Sequence, residues 1–155
     1  MYEKYFHQTF VFVLKRVRSE SEANDLTQQT FIKAMMHISK YEDRGLPFGA
    51  WLYRIALNET NMFFRKNSKN HFVDINERQV NSVLEEMDST ISTEENQEKL
   101  IEILNGLNEN DLDLIELRFF QKLPFKEIAE IYNITEANAK MKLYRIIEKI
   151  KKTLN

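Results

Sequence analysis

From Tyr2 to Val17 the apolar residues Tyr2, Tyr5, Phe6, Phe10, Val13, Leu14 and Val17 recur at intervals of three and four, the spacing of one helical face. A helix with a broad apolar stripe is predicted. Ser19-Glu20-Ser21-Glu22 has the spacing of a capping box, and Leu26, Thr30, Phe31, Ala34, Met35 and Ile38 continue a second amphipathic helix to about Ser39. Two helices joined by so short a polar turn should pack antiparallel. Residues 41 to 49 hold Gly45, Pro47 and Gly49 and read as a loop. The stretch FGAWLYRIALNETNMFFRK follows from Phe48 to Lys66 as a third helix, with Trp51, Leu52, Ile55, Ala56 and Met62 or Phe63 as its buried stripe.

Between residue 67 and about residue 92 the periodicity weakens, acids gather, and Val73, Ile75, Val80, Val83 and Leu84 are scattered. This segment reads as a linker. Ser92-Thr93-Glu94-Glu95 again has capping-box spacing, and Leu100, Ile101, Ile103 and Leu104 precede Gly106, a residue suited to ending a helix. Asn108 can cap the next helix, whose Leu112, Ile115, Leu117 and Phe119 fall before a break at Pro124. Two further helices are expected over 125 to 132 and from Thr135 to about Lys152. Asn133, in the turn between them, is one of the few non-glycine types that tolerate a left-handed backbone.

Composition agrees with an all-helical chain. Only 3 Gly and 2 Pro in 155 residues leave few breakers for a turn-rich sheet protein. With no cysteine, disulfides, thiolate metal sites and a cysteine nucleophile are excluded. No apolar run approaches the roughly 20 residues of a membrane span, and the start MYEKYFHQ lacks the cationic and apolar regions of a secretory signal. The expectation is a cytoplasmic protein without membrane insertion.

Charge changes the picture once it is divided along the chain. The total is -2, yet residues 1 to 70 carry 11 Lys and Arg against 7 Asp and Glu, a surplus of +4. Residues 71 to 99 carry 2 against 8, and residues 100 to 155 carry 9 against 9. Within the last segment Lys140, Lys142, Arg145, Lys149, Lys151 and Lys152 face Glu148 alone over 137 to 152. Each end therefore has a basic patch able to meet a polyanion.

The stretch LPFKEIAEIYNITEANAKMKLYRII has the layout of a helix-turn-helix. Ile128, Ala129 and Ile131 form the inner face of its first helix, Ile134 plugs the turn and Thr135 caps the second helix. Leu143, Ile146, Ile147 and Ile150 then point to a core, leaving Asn138, Lys140, Met141, Lys142 and Arg145 on the other side. Such a helix offers donors for base edges and cations for phosphates. A plain helical hairpin with a solvated basic face has the same pattern. On the third helix Arg54, Asn58, Asn61 and Arg65 fall at intervals of four, three and four, with Lys66 beside the end. Amides, cations and nearby aromatics on one face suit single-stranded nucleic acid. By contrast, His7, His37 and His71 lie on separate elements, and no glycine-rich phosphate loop or serine nucleophile motif exists. No enzyme, metal or cofactor is implied.

ANDLTQQTF at 23 to 31, AWLYRIALN at 50 to 58 and NAKMKLYR at 138 to 145 together resemble bacterial RNA polymerase sigma factors of the extracytoplasmic-function group of the sigma-70 family. The order and spacing match over almost the whole chain. The resemblance implies an all-α protein of two small helical domains, a region 2-like bundle over 1–69 and a region 4-like helix-turn-helix over 93–155, joined by an acidic linker over 70–92. It implies promoter recognition, melting of the minus-ten element and transcription initiation. The implied partners are core RNA polymerase, through the clamp of its largest subunit and the flap of the second largest, and promoter DNA. Hydrophobic faces could also receive an anti-sigma factor. No small-molecule substrate is implied.

By the same resemblance Asp25, Leu26, Gln28, Gln29 and Phe31 match the surface that engages the clamp, although the apolar neighbours of Phe31 make a core role an equal alternative. Arg54, Asn58, Asn61, Arg65 and Lys66 match the minus-ten segment, with Asn58 capturing a flipped base or, alternatively, making a helix-to-loop hydrogen bond. Trp51 matches scaffold. Thr135, Asn138, Lys140, Lys142 and Arg145 match the minus-thirty-five recognition helix. The sequence departs from the family at Met62, where an aspartate is usual, and at Asn138-Ala139, where Thr-Val is common. A stand-alone helix-turn-helix regulator and a polymerase-binding adaptor are the alternative readings.

Overall fold

Apolar residues at three- and four-residue intervals fold the amino-terminal part into three helices in the computed structural model, which describes residues 2–40, 47–67, 75–87 and 94–154. They are α1 (Tyr2–Val17), α2 (Glu20–Met36) and α3 (Phe48–Lys66), and each packs against the other two. Arg18 makes the α1–α2 connection tight by taking a left-handed φ of 61°, its N–H donating to the Leu14 carbonyl at 2.8 Å. Ser19 then caps α2, accepting from the Glu22 N–H at 3.4 Å.

One core cluster of this unit is Phe31, Ala34 and Leu52, with Tyr5, Phe6, Phe48, Trp51 and Ile55 packed around it. Phe6 and Phe31 stack with centroids 5.6 Å apart, and Trp51 leans on Phe48 at the same distance. Gly49, expected in a loop, lies in the first turn of α3. A Cβ there would meet the Tyr5 ring at 3.4 Å, so glycine lets α1 approach closely. The rest of the expected loop, 41–46, lies outside the described residues.

A polar clasp completes the unit. Arg16 on α1 is 1% exposed; its Nε donates to Thr60 Oγ1 at 3.1 Å and its Nη2 to Asn61 Oδ1 at 2.9 Å, both on α3. The guanidinium also lies 5.4 Å from the centroid of Phe12. Burying a cation is costly unless its donors are satisfied, and α3 supplies the acceptors.

The chain divides into two compact units, Met1–Asp74 and Ile75–Asn155. The second contains α4 (Glu77–Glu86), α5 (Glu94–Asn105), α6 (Glu109–Ile115), α7 (Phe125–Tyr132) and α8 (Glu136–Leu154). Here the structure departs from the expected linker over 70–92, because α4 is a folded helix. Asn76 and Gln79 close a reciprocal capping box, with bonds of 2.9 and 3.0 Å. Val80, Val83 and Leu84, three and four apart, are buried against neighbouring elements of the unit, and Gln97 of α5 donates to Asn81 at 3.1 Å. The expected cap at Ser92 lies outside the described residues.

Asn108 caps α6 as expected, accepting from the Asp111 N–H at 2.9 Å. The helix then widens into a π-turn over Glu116–Phe120, closed by the Gln121 N–H on the Glu116 carbonyl at 2.9 Å. Among the described residues all regular structure is helical, and no described helix is long and apolar enough to cross a membrane.

Candidate nucleic-acid interfaces

The turn between α7 and α8 sets the geometry of the second unit's basic face. Asn133 adopts φ 55°, ψ 50°, a left-handed cap on α7. The N–H of Ile134 reaches back to the Ala129 carbonyl at 2.9 Å and that of Asn133 to Glu130 at 3.3 Å, the paired bonds of a Schellman ending. Thr135 Oγ1 accepts from the Asn138 N–H at 3.1 Å and starts α8. The helix-turn-helix is therefore fixed by local bonds, and Ile128, Ala129, Ile131, Leu143, Ile146, Ile147 and Ile150 are buried as expected.

With Ala139, Leu143, Ile146, Ile147 and Ile150 inward, about 100° per residue puts Asn138, Met141 and Arg145 on the opposite face of α8. All three are exposed. Lys140 and Lys142 are exposed on the two flanks of that face. Lys140 leans toward α7, its Nζ 5.8 Å from the Phe125 centroid and 4.0 Å from Glu136. Lys142 shares a cleft with Asp111, which itself pairs with Lys149 at 3.8 Å. An amide and a guanidinium between two flanking ammonium groups suit a groove floor with phosphates on either side. On α7 burial raises the pKa of the Glu127 carboxyl above its ordinary value.

On α3, Arg54, Asn58, Arg65 and Lys66 are exposed, and Arg54, Asn58 and Arg65 share one strip of the helix. Asn61 does not join them. It is 8% exposed and accepts the Arg16 hydrogen bond, so its expected DNA role is corrected to a packing role. Met62 is 53% exposed on the same strip and Phe64 takes the buried place, which revises the expected stripe. Glu59 is buried and pairs with Lys33 of α2.

On α2, Asp25, Gln28 and Gln29 are exposed and Leu26 is half-buried. Phe31 is buried in the core cluster, which resolves its two readings in favour of packing. Met35, expected in the apolar stripe, is instead 66% exposed, beside Ile32 and Met36. Sequence reasoning missed this row, although 25, 28, 29, 32 and 36 fall on one helical face by their spacing alone. Among the described residues no three of His, Asp and Glu gather as metal ligands.

Two family models match the chain: sigma-70 region 2 over residues 1–70 and sigma-70 region 4 over residues 103–152. The extracytoplasmic-function sigma factor SigW of Bacillus subtilis is 31% identical over 147 residues, spanning 86% of this chain and 75% of that protein. The chain belongs to the sigma-70 family of RNA polymerase sigma factors, in its extracytoplasmic-function group. SigM of the same organism is 28% identical over 159 residues, covering 100% of this chain and 93% of that protein. Among solved structures, the sigma factor RpoE of Bartonella quintana, crystallised with the anti-sigma factor NepR, aligns with TM-score 0.58 and 17% identity over 97% of this chain and 91% of its own, a likeness of fold. In this sigma factor, region 2 coincides with α1 to α3 and region 4 with the last residues of α5, then α6 to α8. The helix α4 falls between the two matched segments.

Proposed function

We propose that the two units divide promoter recognition, the first binding the polymerase clamp and the opened minus-ten strand and the second reading the minus-thirty-five duplex. The observation that carries this is the recurrence, on separately folded units, of an exposed amide flanked by exposed cations: Asn58 with Arg54 and Arg65, and Asn138 with Lys142 and Arg145. Asp25, Gln28 and Gln29 engage the clamp, and Ile32, Met35 and Met36 extend that surface with apolar area. An anti-sigma factor would compete for the same exposed row, and a cytoplasmic, non-catalytic role follows from the need to meet polymerase and promoter there.

Melting costs a few kcal/mol per unstacked step. Capture of one flipped base by the Asn58 amide offsets part of that cost and acts only in the open state. Asn58→Ala is therefore expected to lower open-complex formation about 10-fold, the ~1.4 kcal/mol of a lost hydrogen bond, while core binding is retained. Permanganate footprinting beside a core pull-down separates the two; equal loss of both rejects the assignment. The division of labour as a whole is tested by run-off transcription with purified core polymerase on a promoter library, with and without this chain. New start sites are expected only with it.

A further inference from the structure

Met141 is 53% exposed at the centre of α8's outward face, directly opposite the buried Ala139, Leu143, Ile146 and Ile150. Asn138 lies one turn before it and Arg145 one turn after, and Tyr144, also 53% exposed, lies to one side of this row. Neither the core nor the flanking cations account for an apolar side chain at that point. A helix lying in a major groove presents the middle of its face to base edges and its flanks to phosphates. The groove floor carries donors and acceptors with one apolar group, the C5-methyl of thymine. A thioether on a long, adaptable side chain is well suited to cover that methyl.

We propose that Met141 is a specificity-determining residue that reads the methyl group of one thymine in the minus-thirty-five element. The inference rests on the reading of α8 as the duplex-recognition helix. Asn138 and Met141 are separated by ~4.5 Å of helix rise, close to the ~3.4 Å between stacked bases. They address neighbouring base pairs, and because asparagine pairs bidentately with adenine, the two together favour consecutive A·T pairs. Contact with a methyl group requires no hydrogen-bond geometry, so leucine at 141 keeps the preference and alanine removes it.

The test uses holoenzyme assembled from core polymerase and the full chain, on a promoter recovered by run-off selection. Each thymine of the minus-thirty-five element, on either strand, is replaced in turn by deoxyuridine, which deletes the methyl and nothing else. Binding is expected to weaken 3- to 10-fold at one position and to change little at the others. Met141→Ala should bind the thymine and uracil promoters alike, whereas Met141→Leu restores the difference. Thermal melting of each variant reports folding, which an exposed side chain leaves unchanged. If no position distinguishes thymine from uracil while Lys142→Ala and Arg145→Ala still weaken binding, the methyl contact is wrong and the recognition helix stands. If those two variants also bind normally, the placement of α8 on DNA fails and takes the inference with it.

Discussion

Arg16 and Asn58 show how little a residue's type says about its use. Arginine on a polar stretch and asparagine on an amide-rich face both suit nucleic acid, yet Arg16 is buried in a clasp with Thr60 and Asn61 while Asn58 is exposed. Spacing could not separate Asn58 from Asn61, because the donor that claims Asn61 lies 45 residues earlier in the chain. Truncating a buried donor leaves its partners unsatisfied at ~1–3 kcal/mol. Arg16→Met, which keeps the apolar stem, should therefore destabilise the first unit by about 2–4 kcal/mol, lowering its melting temperature in calorimetry. Asn61→Ala should lower it in the same direction. Asn58→Ala should leave it unchanged, and a matching fall there would place Asn58 in the packing rather than on the DNA face.

At the scale of the element, helices marked by a cap, a breaker or a wide apolar stripe are legible, the short α6 and α7 included, and α4 is the exception. Apolar residues at three and four predicted α1, α2 and α3, and a cap at Ser19, a left-handed Asn133 and a cap at Thr135 all occur as expected. The helix α4 is hard to see in the sequence because its 10 residues bury only one narrow row among acids. Its signals were nevertheless present: Asn76 three residues before Gln79, and Val80, Val83 and Leu84 at helical spacing. Acidity marks the exposed side of such a helix as readily as it marks a tether. A structureless linker would tolerate truncation at Leu84, which is 2% exposed in the fold. Leu84→Ala is expected to cost about 2–4 kcal/mol, the usual cost of a buried leucine, read as a lower denaturation midpoint with unchanged slope. A midpoint equal to that of the parent chain would return α4 to the linker.

For the whole molecule, the small net charge of -2 conceals a surplus of +4 in residues 1 to 70 and a deficit over 71 to 99. Each basic face can neutralise only a few phosphates, and each phosphate contact contributes about 0.9 to the slope of log affinity against log salt. The free chain should consequently bind duplex promoter weakly at physiological salt, and polymerase must supply most of the holoenzyme's affinity. Within that complex the flanking Lys142 and the central Arg145 act differently. Lys142→Ala should lower the salt slope by about 1 and weaken binding alike on all promoters. Arg145, on the outward face of α8 that is proposed to meet base edges, should in addition relax sequence preference when replaced by alanine. Titrating holoenzyme on two promoters over a range of salt concentrations measures slope and preference together. A Lys142→Ala variant with the parental slope would remove that side chain from the phosphate contacts and leave the flank of α8 to another ligand.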